Sequence, residues 1–94
     1  MTLHQTGTFQ TPNASKYLQQ LCKHFAHKVA VEYDETQGRA ALPAGPARLT
    51  ASAEALQVEI SAETEEGLAR ARSVIDDHLK RFAFREGFEG MSWA

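Results

Sequence analysis

Three of the four histidines and the only cysteine fall in two short segments. Leu21-Cys22-Lys23-His24-Phe25-Ala26-His27-Lys28 holds Cys22, His24 and His27, and His78 opens the stretch His78-Leu-Lys-Arg-Phe-Ala-Phe-Arg-Glu86. Imidazole and thiolate are ligands for borderline transition metals, so His24, His27 and His78, with Cys22 or water as a fourth ligand, suit an approximately tetrahedral site for zinc or iron. At about 100° per residue, His24 and His27 lie roughly 60° apart around a helix, whereas Cys22 and His24 lie roughly 160° apart. A regular helix therefore offers the two histidines to one ion and turns the cysteine away; Cys22 joins only if the helix unwinds near His24. The same residues have a plainer use. All three histidines are expected in last helical turns, where an imidazolium gains about 0.3–1 kcal/mol from the macrodipole and can bond an orphan carbonyl.

Catalysis has less support. Cys22 beside a histidine base would be a nucleophile, but its place on an apolar helical face reads as an inert, buried thiol. Gly-x-Gly-x-x-Gly, Walker, His-Glu-x-x-His and Gly-x-Ser-x-Gly patterns are all missing from the sequence. The expectation is a non-catalytic binding or interaction module.

The 94 residues fit one domain, 1–94. Ten Lys and Arg against twelve Asp and Glu give −2 with neutral histidines, and protonating all four histidines reverses the sign to +2. So balanced a charge argues against a nucleic-acid binder. Residues 78–86 interleave cations with aromatics, yet Asp76, Asp77 and Glu86 sit among them. One cysteine cannot form an internal disulfide, no charged-then-apolar leader opens the chain, and no apolar run approaches the ~18 residues of a membrane span. The expected location is the cytoplasm.

The elements that must position these residues follow from periodicity. Leu3 to Phe9 alternates weakly and is rich in threonine, as a strand does. Pro12-Asn13 offers a break and an N-cap, and Tyr17, Leu18, Leu21, Cys22 and Phe25 recur on one face of a helix from about Asn13 to Ala26. Val29, Val31 and Tyr33 alternate with polar residues. Asp34 to Gly38 then reads as a turn in which Gly38 takes positive φ, and Arg39 to Leu42 pairs back. Pro43 to Pro46 punctuates, and Ala47–Ala51 and Leu56–Ser61 complete a meander. Ser61 or Thr64 caps a second helix with Glu63, Glu65 and Glu66 in its first turn and a stripe of Leu68, Ala71, Ile75, Leu79 and Phe82. Phe84, Phe88, Met91 and Trp93 leave the helical period as a tail that covers the core or a sheet edge. The order β-α-β-β-β-β-α predicts an α+β two-layer sandwich, with an antiparallel sheet and both helices on one face.

Tyr17-Leu18, Leu21-Cys22, His24-Phe25-Ala26-His27-Lys28, Val31-Glu32, His78-Leu79 and Arg81-Phe82-Ala83-Phe84-Arg85-Glu86 resemble the small bacterial family catalogued as domain of unknown function 2218. Gly45 and Trp93 also fit. Ala44 departs, standing where many relatives carry a larger or aromatic residue. The family occurs free-standing and fused to flavin-dependent siderophore-interacting reductases, which implies a link to iron and siderophore metabolism and such a reductase as a protein partner. The resemblance singles out Cys22, His24, His27 and His78 as the site to test.

Overall fold

The computed structural model describes residues 2–43 and 45–94; Ala44 and whatever contact it makes lie outside them. The chain runs β1 (Leu3–Gln10), α1 (Ala14–Phe25), β2 (Val31–Tyr33), β3 (Gln37–Leu42), β4 (Gly45–Ala51), β5 (Ala55–Ala62), α2 (Glu65–Phe82), a 3-10 turn (Phe84–Glu86) and β6 (Ser92–Trp93). One antiparallel sheet has the order β2-β3-β4-β5-β1-β6. Both helices lie on one face, as expected. β6 is a sixth strand that periodicity over two residues could not announce.

Each helix forms because one side of it can be buried. In α1 that side is Ala14, Tyr17, Leu18, Leu21, Cys22 and Phe25, at the i, i+3, i+4, i+7 spacing of a core-facing stripe. In α2 it is Leu68, Ala71, Ile75 and Leu79, with Phe82 half-buried beside them. Thr64, not Ser61, caps α2: its Oγ1 accepts from the Gly67 amide at 3.0 Å. Glu65 and Glu66 occupy the first turn and Lys80 and Arg81 the last, each sign matched to the nearer pole of the helix. Glu63 precedes the cap. Asn13 takes the N-cap position of α1 without capping by its side chain; its Nδ2 donates to Glu86.

β3 and β4 alternate strictly and β5 nearly so, so burial is one-sided. Gly38, Leu49, Val58 and Gly7 stand in one row across β3, β4, β5 and β1, all buried toward the helices. The next row, Arg39, Arg48, Glu59 and Thr6, faces away from them. Val29 falls outside β2 because its amide bonds the Phe25 carbonyl at 2.9 Å, finishing α1 instead.

Two glycines serve purposes other than those expected. Gly38 is not a turn residue: it lies inside β3 opposite Leu49, and a Cβ there would stand 2.7 Å from Cys22 Sγ. The turn before it is closed by Asp34, whose Oδ1 accepts from the Thr36 and Gln37 amides at 2.8 Å each, a side chain mimicking a backbone turn. The positive φ falls to Gly45 at 153°, where a Cβ would overlap the Ser61 carbonyl oxygen.

The tail returns to the sheet. Gly87, at φ 70°, ends the 3-10 turn. Phe88 and Met91 are buried, and Trp93 pairs with Gly7. Asp76 of α2 holds this segment by accepting from the Met91 amide and Trp93 Nε1, both at 3.0 Å. Phe84 is the exception to the expected cover, being 66% exposed, with the Arg85 guanidinium 5.8 Å above its ring. A Cβ at Gly7 would lie 2.8 Å from the Trp93 ring. Gly7→Ala should therefore cost about 1–3 kcal/mol of unfolding free energy in urea, as overpacking does, and shift tryptophan emission as the ring is displaced.

Candidate functional site

Near the C-terminal end of α1, the structure brings two of the three predicted histidines together. The rings of His24 and His78 meet with centroids 4.5 Å apart and planes tilted by 52°. Phe25 lies edge-on to His78 at 5.2 Å, and Phe82 edge-on to His24 at 6.2 Å. His78 commits its Nδ1 to the Val74 carbonyl at 2.6 Å; since a carbonyl only accepts, Nδ1 carries the proton. That carbonyl lies one turn back within α2, so His78 does not cap an orphan carbonyl at the helix end. His24 does stand in the last turn of α1.

His27 does not join them. α1 ends at Phe25, and the His27 and Lys28 amides turn back to the His24 and Phe25 carbonyls. These are tight i to i−3 bonds beyond the last α-turn, and among the described residues the ring that meets His24 is that of His78, not His27. Cys22 points the other way, into the core against Gly38, and is fully buried. Among the described residues, no three His, Cys, Asp or Glu side chains are placed to hold a metal ion. The expected His24, His27, His78 cluster with Cys22 as fourth ligand is thereby overturned, and with it zinc or iron as a cofactor. What remains is a pair of imidazole rings in tilted contact.

That pair is electrostatically unfavourable when charged. His24 titrates below the ordinary imidazole value through desolvation, reinforced by His78, His27, Lys28 and Arg81. Cys22 has its thiol pushed up to about 11 by burial. A thiol both protonated at neutral pH and shut from solvent does not suit nucleophilic chemistry.

A second polar group, which periodicity did not reveal, ties the tail to the β1–α1 junction. Glu86 accepts from Thr11 Oγ1 at 2.7 Å, from Asn13 Nδ2 at 3.2 Å and from the Tyr17 hydroxyl. Thr11 Oγ1 also accepts from the backbone amide of Asn13 at 3.1 Å, fixing the chain just ahead of α1. The Tyr17 phenol is raised to about 12 by burial and by its bond to Glu86, and Glu86 is held below the usual carboxylate range by Tyr17 and Thr11. Phe9 stacks on Tyr17 at 5.9 Å and touches Phe88 at 4.7 Å, closing an aromatic wall beside these bonds. These bonds tie the β1–α1 junction and α1 to one carboxylate of the tail, so the group is a structural clamp.

The other surface that could recognise something is the sheet face opposite the helices. Its central row is Glu32, Arg39, Arg48, Glu59 and Thr6, flanked by Gln37, Thr50, Gln57 and Thr8. Glu32, Asp34, Gln37, Arg39, Arg48 and Thr50 surround a hollow of about 630 Å³ on β2, β3 and β4. Alternation alone puts Arg39 and Arg48 on a wet face. Their direct opposition depends on hairpin register, which the sequence carries only weakly.

The chain belongs to the family described as "Uncharacterized protein conserved in bacteria (DUF2218)", whose pattern matches residues 6–94. It is similar to the NMR structure of PA4090 from Pseudomonas aeruginosa, with 30% sequence identity and a TM-score of 0.79, over 97% of this chain and 94% of that one. No curated protein matches it.

Two outcomes follow from the geometry. Cys22 in the folded protein should resist a thiol reagent such as DTNB near neutral pH and react fully once urea unfolds the chain, a contrast read by absorbance. The folded protein protonates His24 less readily than the unfolded chain, whose imidazole titrates near 6.5, so this contribution to stability is complete above that pH and lost as pH falls below it. Replacing the residue, His24→Gln, should reduce the fall in Tm between neutral pH and about pH 5.

Proposed function

We propose that this protein is a small, non-catalytic interaction module that docks a partner through the open face of its sheet. The observation that carries this reading is the one-sided cover: both helices and the tail pack on the same face, leaving a broad, hollowed and polar surface on the other. Rows of hydroxyl and amide side chains around two arginines resemble the polar rim and enriched arginine of transient interfaces. A flavin-dependent siderophore-interacting reductase, the partner implied by the family resemblance, is the first class to try. His24 and His78 then act in packing rather than recognition.

A photo-crosslinking residue placed at Thr50 or Gln57 in the full chain, expressed in its native cells, tests the assignment of face. The expected result is a heteromeric adduct of one defined mass from either open-face position and none from a probe at Lys23 on α1. Adducts in equal yield from Lys23, or no adduct from either open-face position, overturn it.

A further inference from the structure

The open face holds an arrangement that stability does not account for. In the β3–β4 pair Arg39 stands directly opposite Arg48, and like charges at directly opposed positions weaken an antiparallel pair. Glu32 offsets Arg39, with its Oε2 3.5 Å from the guanidinium. Glu59 stands opposite Arg48 in the register, yet the one ion pair within 4.0 Å among the described residues is Arg39–Glu32. The Arg48 fork is thus open to a further acceptor. Asp34, at the rim of the same hollow, is committed to its own turn through Thr36 and Gln37. In the next outward row Gln37 and Thr50 stand opposite each other and add an amide and a hydroxyl.

A guanidinium presents a planar set of donors that matches a carboxylate in two parallel bonds. We infer that the Arg39–Arg48 hollow receives an acidic side chain of the partner protein, its carboxylate held bidentately by Arg48 with Arg39 supplying further positive charge and Thr50 and Gln37 completing the polar contacts. A protein segment fits better than a small anion because the hollow lies open along the sheet, whereas small-molecule sites enclose most of their ligand. Glu32 and Glu59, on the strands either side, repel acidic groups that arrive out of register. This inference rests on the open face being the docking surface.

The test is an NMR titration of the full, isotope-labelled chain with acetylated, amidated triglutamate at low salt. Expected are saturable shifts at the amides of Gln37–Ala41 and Ala47–Thr50 and at the Arg48 side chain. Binding should be weaker by about fivefold or more in Arg48→Gln, and weaker again at high salt. Arg48→Gln removes the like-charge opposition, so it should fold with an undiminished Tm, and Lys23→Gln serves as a control that binds as the native chain does. Equal response to triglutamine, equal affinity of Arg48→Gln, or shifts centred on Lys23, Lys28 and Arg81 overturn the inference. Inorganic phosphate acting as strongly as triglutamate overturns the choice of a carboxylate. A Thr50 crosslink that persists in Arg48→Gln sinks the acidic contact while leaving the docking surface intact, whereas loss of every open-face adduct removes the docking surface itself.

Discussion

Burial of one face of the sheet is the constraint on which the remainder of this molecule depends. Along β3, β4 and β5 the inward positions are filled by Ala40, Leu42, Ala47, Leu49, Leu56, Val58 and Ile60, all buried, and fully burying one larger aliphatic side chain is worth about 1.5–3 kcal/mol. Strand alternation then sends every second residue to water. With α1 and α2 spending their apolar stripes on the inner side, nothing apolar remains to draw cover onto the outer one. Close approach follows: Cys22 packs where Gly38 lacks a side chain, and Trp93 where Gly7 does. A shift of one residue in β1 or β3 would bring the helix or the tail against a side chain instead of a bare Cα.

Much of this was legible from residue spacing. The stripes of α1 and α2 and the meander stand where apolar periodicity places them, because burial acts on patterns that repeat within each element. The failures have a common cause in long-range contacts. Gly38 reads as a turn residue when Asp34 is ignored and Cys22 cannot be seen facing it. Asn13 reads as a side-chain cap, yet in the fold that side chain turns to Glu86 near the other end of the chain. The histidines read as one cluster because spacing places His24 and His27 on one side of α1 but cannot say which of them His78 of α2 will meet, and it meets His24.

Two carboxylates do for the C-terminal segment what apolar burial does for the rest. Asp76 engages the Met91 amide and the Trp93 indole, and Glu86 engages Thr11, Asn13 and Tyr17. Such bonds suit a stretch with little to bury beyond Phe88, Met91 and the half-buried Trp93. They also keep β6 beside β1, so that β1 is paired on both sides along Thr6–Thr8 and offers less open edge there.

The register of β1 bears on how the chain reaches this state. Hairpins join β3 to β4 and β4 to β5 across short turns, but Gln10 must find Ala55, and Leu3 must find Ala62, with α1 and three strands intervening. Closing that long loop costs entropy before any β1 contact repays it. The hairpin contacts of the meander close short loops, whereas the pairing of β1 with β5 must close one that spans α1 and three strands.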